Sequence, residues 1–204
     1  MKILIILLLI LNILKADAFY INNYDKQRII KLYYKKQIIQ RIKNFREFFK
    51  KTKKFSEIKK VNRVNSYINR IIGKADKTNE WITPKEFLIR GQGDCEDYAI
   101  AKYFALKKLN IDTRKLFFSI VKQRGSKTYH MVLLYKKYDK LLVLDNLSWK
   151  ILPLKERKDL KFYYAFNQYA SYILKNNKLE KEVSIRRGEV NYFNKIIKDV
   201  KRGK

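Results

Sequence analysis

The chain holds one cysteine, Cys95, and one histidine, His130, in 204 residues. A single cysteine leaves no intramolecular disulfide, CxxC redox pair or thiolate zinc cluster, and a single histidine leaves no site that needs two imidazoles. What these residue types can still do is nucleophilic catalysis by a thiolate with one imidazole as base. Cys95 directly follows the only glycine-rich turn, Gly91-Gln92-Gly93, and opens a helical pattern. Helix N-terminal amides and the macrodipole favour a thiolate there. A free cysteine is more often a small buried hydrophobe, but Asp94 and Glu96 on either side argue against an apolar environment. The G-x-G by itself is weak evidence for a phosphate loop, and no Gly-Lys-Ser/Thr follows.

His130 begins an apolar strand pattern, Met131 to Tyr135, and Asp145 ends the next, Leu141 to Leu144. A hairpin with a two-residue loop at Lys137-Tyr138 pairs Leu134 with Leu141 and Val132 with Val143. It sets His130 opposite Asp145, on one face, with Cβ atoms roughly 5 Å apart. The carboxylate would fix one ring nitrogen and leave the other for the thiol. The plainer alternative is a satisfied edge histidine and a strand-end aspartate.

Trp81 to Phe104 contains Gly93-Asp94-Cys95-Glu96-Asp97-Tyr98-Ala99, and His130-Met131-Val132-Leu133 and Val143-Leu144-Asp145-Asn146-Leu147 follow in order. These blocks resemble the bacterial transglutaminase-like cysteine peptidases, and within them the LapG type. Val61 to Arg70 and Arg157-Lys158-Asp159-Leu160 resemble further elements, so the likeness spans about residues 60 to 170. It implies a papain/transglutaminase-like α+β fold and a Cys95–His130–Asp145 triad that hydrolyses a peptide bond. It also implies Ca²⁺ dependence, with Asp94 and Glu96 as metal ligands. Two carboxylates beside a thiolate raise its pKa, and a bound cation would cancel them. Two are too few for a shell of 6–8 oxygens, so backbone carbonyls, water, or Asp97 and Asn146 must supply the rest. The same acids could simply cap the helix N-terminus. The resemblance further implies a periplasmic enzyme that cuts the membrane-proximal region of a large repeat adhesin between small residues, releasing it and limiting biofilm attachment. The implied partner is an inner-membrane cyclic-di-GMP receptor that sequesters the enzyme. A transglutaminase or amidase would use the same triad on side-chain amides. A non-catalytic membrane- or polyanion-binding protein would use only the lysines.

The elements that must position these groups follow from periodicity. Apolar residues from Ile29 to Phe49 recur at three and four, so Asp25 to Ile72 reads as helical, with a break near Lys50–Lys54 and a stop at Gly73. A second helix spans Asn62 to Asn69. Thr83, Pro84 and Glu86 form a helix start, and Cys95 to Leu109 carries a broad apolar face. Strand-like runs cover Leu116 to Val121, Tyr129 to Tyr135 and Leu141 to Leu144. Helices first and an antiparallel sheet afterwards make an α+β domain with the nucleophile at a helix N-terminus.

The composition fits one domain: 47% hydrophobic residues, 14% aromatic, six glycines and two prolines. The net charge is +29, and 36 of the 48 basic residues are lysine spread along the whole chain. That spread reads as a solvated surface rather than an arginine stripe for nucleic acid. The amino terminus has Lys2, an apolar run from Ile3 to Leu14 and Ala16-Asp17-Ala18, the layout of a secretory signal peptide cleaved after Ala18. The expected organisation is therefore a signal peptide at 1–18 and one catalytic domain at 19–174. Within the domain, 19–75 is helical and 76–174 is the catalytic core. A loosely held basic tail fills 175–204, and the expected location is the periplasm.

Overall fold

The computed structural model describes residues 17–74, 80–176, 178–182 and 188–203. Helices α1 (Asn23–Ile30), α2 (Lys35–Thr52) and α3 (Glu57–Ile68) come first. The short strand β1 (Ile72–Gly73), helix α4 (Pro84–Arg90), short strand β2 (Gln92–Gly93) and helix α5 (Cys95–Lys108) follow. The rest is strands β3 (Leu116–Gln123), β4 (His130–Lys137), β5 (Lys140–Leu144), β6 (Leu152–Pro153), β7 (Leu160–Phe166), β8 (Ser171–Lys175) and β9 (Lys178–Glu182), then helix α6 (Gly188–Lys201). The run Ile3 to Leu14 lies outside the described residues. The described chain opens with Asp17 paired to Lys108 and with Ala18, Phe19 and Ile21 buried in the core.

The N-terminal helical region divides once more than its periodicity suggests. Residues 31–34 break α1 from α2, and Gly73 sits in β1 rather than ending a helix. In α2 the residues Ile38, Ile42, Phe45 and Phe49 face inward at helical spacing; Phe48 stacks on Tyr67 of α3, and Phe45 meets the same ring at a tilt. Helix α5 is buried all round from Asp97 to Leu106. It lies between α3 and α4 on one side and β4 on the other, which explains why its apolar residues are not confined to one stripe.

Strands β3 to β9 form an antiparallel sheet in the order β6-β5-β4-β3-β7-β8-β9. The helices cover one face. On the other, Phe117, Val132, Leu134 and Val143 form a smaller apolar cluster. The β4–β5 register differs from the expected one by two residues. Leu134 pairs with Val143 and Lys137 with Lys140, so the turn is Tyr138-Asp139 and Tyr138 takes φ 52. A slip of two leaves every side chain on its original face, so the apolar pattern could not discriminate between the two registers.

The segment after Leu174 is not a loose tail. Strand β9 pairs with β8, and α6 buries Phe193, Ile196 and Val200. The Phe193 ring meets Tyr103, Phe104 and Phe118. A hydrophobic stripe at positions 193, 196 and 200 is what a core-facing helix requires, and the intervening charges only decorate its wet side. Phe193→Ala should therefore cost about 3–5 kcal/mol in urea unfolding. A loss below about 1 kcal/mol, the range of surface changes, would mean that α6 is dispensable.

Candidate active site

Cys95 owes its place to the turn before it. Gly91 caps α4 at φ 67, and Arg41 lies so close that a Cβ at residue 91 would meet its guanidinium at 2.2 Å. A Cβ at Gly93 would meet the Phe87 ring at 2.7 Å and Asp97 Oδ2 at 2.8 Å. Both glycines are thus steric requirements for bringing the chain over α4 into α5. Asp97, in the first turn of α5, accepts the Asp94 amide at 3.4 Å and the Ile82 amide at 3.1 Å, tying the loop before α4 to the helix start. Burial above all raises the Asp97 carboxyl, to about 7, despite these two donors.

Cys95 faces a cleft of about 480 Å³ lined by His130 and Met131 of β4, Glu96, Trp81, Tyr129, and Glu189 and Tyr192 of α6, among others. The thiol donates to Glu96 Oε2 at 3.2 Å. Burial first, then the Glu96 carboxylate, pushes the thiol well above its ordinary value, against the lowering influence of the Met131 amide, which donates toward the sulfur. The residue that follows the histidine therefore touches the sulfur. The helix N-terminus does not by itself produce a thiolate here.

His130 Nε2 lies 2.8 Å from Asp145 Oδ1. The shift of two in register sets Asp145 level with Val132 instead of His130, and the pair meets diagonally across the ladder on a shared face. Burial alone would raise the Asp145 carboxyl. The hydrogen bond and charge of His130, the Leu147 amide at 2.9 Å and Arg157 together outweigh it and hold the carboxyl well below the usual carboxylate range. An ionised carboxylate only accepts hydrogen bonds, so a proton on Nε2 points at Asp145, and in the neutral form of the ring Nδ1 is the basic nitrogen.

Several residues that the sequence offered only as parts of family-like blocks support this arrangement. Arg157 donates to Asp145 Oδ2 at 2.8 Å and is itself held by Asp159 at 2.7 Å. Asn69, the C-cap of α3, donates to the Asp145 carbonyl at 2.8 Å, and Asn65 and Asn69 both donate to the Ser148 carbonyl. A polar residue at Asn65 on the otherwise apolar buried face of α3 was the available signal. Lys102 is buried without a hydrogen-bond partner among the described residues, and burial pushes its amine down to about 7 while Asp145 opposes the shift.

The acids around Cys95 offer hard oxygen donors, the chemistry a calcium ion takes. Among the described residues no group of three or more His, Cys, Asp or Glu side chains is disposed to hold a metal. Asp94 and Glu96 would therefore make up only part of a shell. Asn146 Oδ1, next in the chain to Asp145, is a further acceptor, buried with no hydrogen-bond partner among the described residues.

The profile of a bacterial transglutaminase-like cysteine proteinase family matches residues 34–175. The chain belongs to that family. It is a cysteine protease, and its fold is transglutaminase-like. Legionella pneumophila LapG is similar at 26% identity and a TM-score of 0.68, over 80% of this chain and 90% of that one. An EGTA-treated LapG structure gives 26% identity and 0.69 over the same shares. A calcium-bound LapG structure gives 28% and 0.67, over 77% of this chain and 90% of that one. No curated protein matches.

The depressed Asp145 carboxyl ties the proteinase's stability to acid. The folded carboxylate holds its proton less tightly than an unfolded one. Its stabilisation is complete above about pH 4 and is lost as pH falls from there through the folded value. Arg157→Ala should make that acid loss shallower in denaturation midpoints. It should also lower kcat by up to about a hundredfold with KM little changed, the cost of misplacing a group that orients another. Equal acid profiles and unchanged kcat would show that Arg157 only packs.

Proposed function

We propose that the chain is a periplasmic, calcium-dependent cysteine endopeptidase that cuts the membrane-proximal region of a large surface adhesin and so limits attachment in biofilms. The observation that carries the catalytic part is the His130–Asp145 hydrogen bond, made on Nε2, beside a cleft shared with the Cys95 sulfur. His130 Nδ1 takes the thiol proton, and the thiolate adds to a backbone carbonyl of the substrate. The Cys95 amide at the start of α5 donates to the oxyanion. As the intermediate collapses, the C–N bond breaks and His130 returns the proton to the leaving amine. Water, deprotonated by the same imidazole, then hydrolyses the thioester. Asp145 keeps the ring in the productive tautomer throughout, and Arg157 keeps Asp145 in place.

Calcium dependence rests on the calcium-bound and EGTA-treated LapG structures and on the electrostatics of this turn. Asp94 and Glu96 would hold the ion, which supplies positive charge against the two carboxylates that now oppose loss of the thiol proton. Glu96, freed from the thiol, would leave the sulfur to His130. The adhesin substrate, the periplasmic location and sequestration by an inner-membrane cyclic-di-GMP receptor come from the resemblance to the LapG type. The apolar run from Ile3 to Leu14 supports export.

The test is digestion of an adhesin N-terminal fragment, with products read by mass spectrometry. Wild type should generate new chain ends, and Cys95→Ala should lower the rate by at least about a thousandfold. A calcium chelator should also lower the rate, with recovery on adding the ion back. Cutting by Cys95→Ala at the wild-type rate would end the assignment of the nucleophile. Crosslinked or deamidated products with an intact main chain would replace proteolysis by side-chain amide transfer. Undiminished cutting in chelator would remove calcium alone.

A further inference from the structure

Fourteen large hydrophobic side chains are exposed among the described residues, and seven of them lie between Tyr20 and Ile39. Every residue from Ile30 to Gln37, the corner between α1 and α2, is exposed, including Leu32, Tyr33 and Tyr34 in succession. Tyr33 is 90% exposed and Tyr34 61%, with the two rings packed edge to face against each other. Behind the corner, Ile30 and Ile39 join Ile29 and Ile42 in an apolar cleft of about 410 Å³ rimmed by Lys26, Lys43 and Arg46. Lys31, Lys35 and Lys36 stand among the apolar tips. None of these six cations forms an ion pair with a described carboxylate. Of the region's two acids, Asp25 is buried against Lys85 at 2.7 Å, and Glu47 lines the cleft on α2, about 20 Å of helix from the Leu32–Tyr34 tips.

We infer that the α1–α2 corner docks the protein onto an anionic lipid bilayer, with Leu32, Tyr33 and Tyr34 entering the headgroup boundary and the six cations facing acidic headgroups. Tyrosine rings with an apolar body and a polar tip, flanked by lysines that can snorkel, are the side chains that settle at that boundary. A second copy of this chain is disfavoured as the occupant, because it would bring the same unpaired cations against these. The uniform lysine content of the chain attracts any polyanion. It is the projecting apolar triplet that makes the corner fit a bilayer rather than a soluble anion. The inference stands whether or not the protease reading does, since its readout is binding.

Sedimentation of the whole protein with phosphatidylcholine vesicles, with and without phosphatidylglycerol, tests it. Binding should require the anionic lipid and weaken as salt rises. Replacing Lys31, Lys35 and Lys36 by Gln should weaken it by about a hundredfold. The same change at Lys50, Lys53 and Lys54, about 25 Å away at the other end of α2, should weaken it much less. Leu32→Ser combined with Tyr33→Ser and Tyr34→Ser should weaken it at constant charge, with circular dichroism unchanged. As an independent reading, Tyr33→Trp fluorescence should be quenched by brominated lipid, whereas Tyr138→Trp, on the β4–β5 turn and comparably exposed, should not be. Three results would each overturn the inference: no binding to anionic vesicles, equal losses from the two lysine triplets, or full binding by the apolar triple variant.

Discussion

One buried carboxylate organises the site. Placing Asp145 at the end of β5, almost out of reach of water, costs several kcal/mol unless its charge is met on every side. His130 and the Leu147 amide meet one oxygen, and Arg157 meets the other. The backbone carbonyl of the same residue is held by Asn69. Each partner comes from a different part of the chain: β4, the turn after β5, the segment before β7, and α3. The requirement to satisfy this group therefore fixes how the helical layer, the hairpin and the outer strands sit around His130. Arg157 is in turn neutralised by Asp159, so the cluster is a chain of alternating charges rather than an isolated pair.

The nucleophile's environment is decided by magnitudes that oppose one another. A helix N-terminus contributes about 0.3–1 kcal/mol toward an anion, up to about 2 in favourable geometry, or roughly one pKa unit. Full burial can move a titratable group by about 3–5 units, and Glu96 adds to it. Burial and the carboxylate win, so the thiol keeps its proton and spends it on Glu96. The acids flanking Cys95 therefore oppose loss of the thiol proton, in the same direction as burial.

What the sequence disclosed, and what it hid, divides along physical lines. The start of α4 was legible because Thr83, Pro84 and Glu86 are local signals, and Thr83 does accept the Glu86 amide at 3.4 Å. The start of α5 was legible because two glycines are sterically required there. The His130–Asp145 contact was legible because side chains alternate with period two, but its register was not, since two registers two apart satisfy the same alternation. Tyr138, which takes the left-handed conformation in the turn, carries no residue-type signal for it. Strands β7 and β8 are largely half-buried and interleaved with lysine and tyrosine, so their alternation is weak. Arg157 stood out only as part of a block that resembles the family, because what distinguishes it physically, its hydrogen bond to Asp145 twelve residues earlier, is made by the fold.

The cleft also departs from the rest of the molecule in charge. Against 48 basic and 19 acidic residues in the whole chain, the ionisable groups among the described residues lining the cleft are Cys95, Glu96, His130, Glu189 and two tyrosines. A surface so cationic draws acidic partners toward it from a distance, whereas the described walls near the sulfur carry the carboxyls of Glu96 and Glu189. Trp81 and Tyr192, with ring centroids 5.5 Å apart, form an aromatic wall contributed half by the loop before α4 and half by α6. A volume of about 480 Å³ suits a few residues of an exposed segment better than a folded surface.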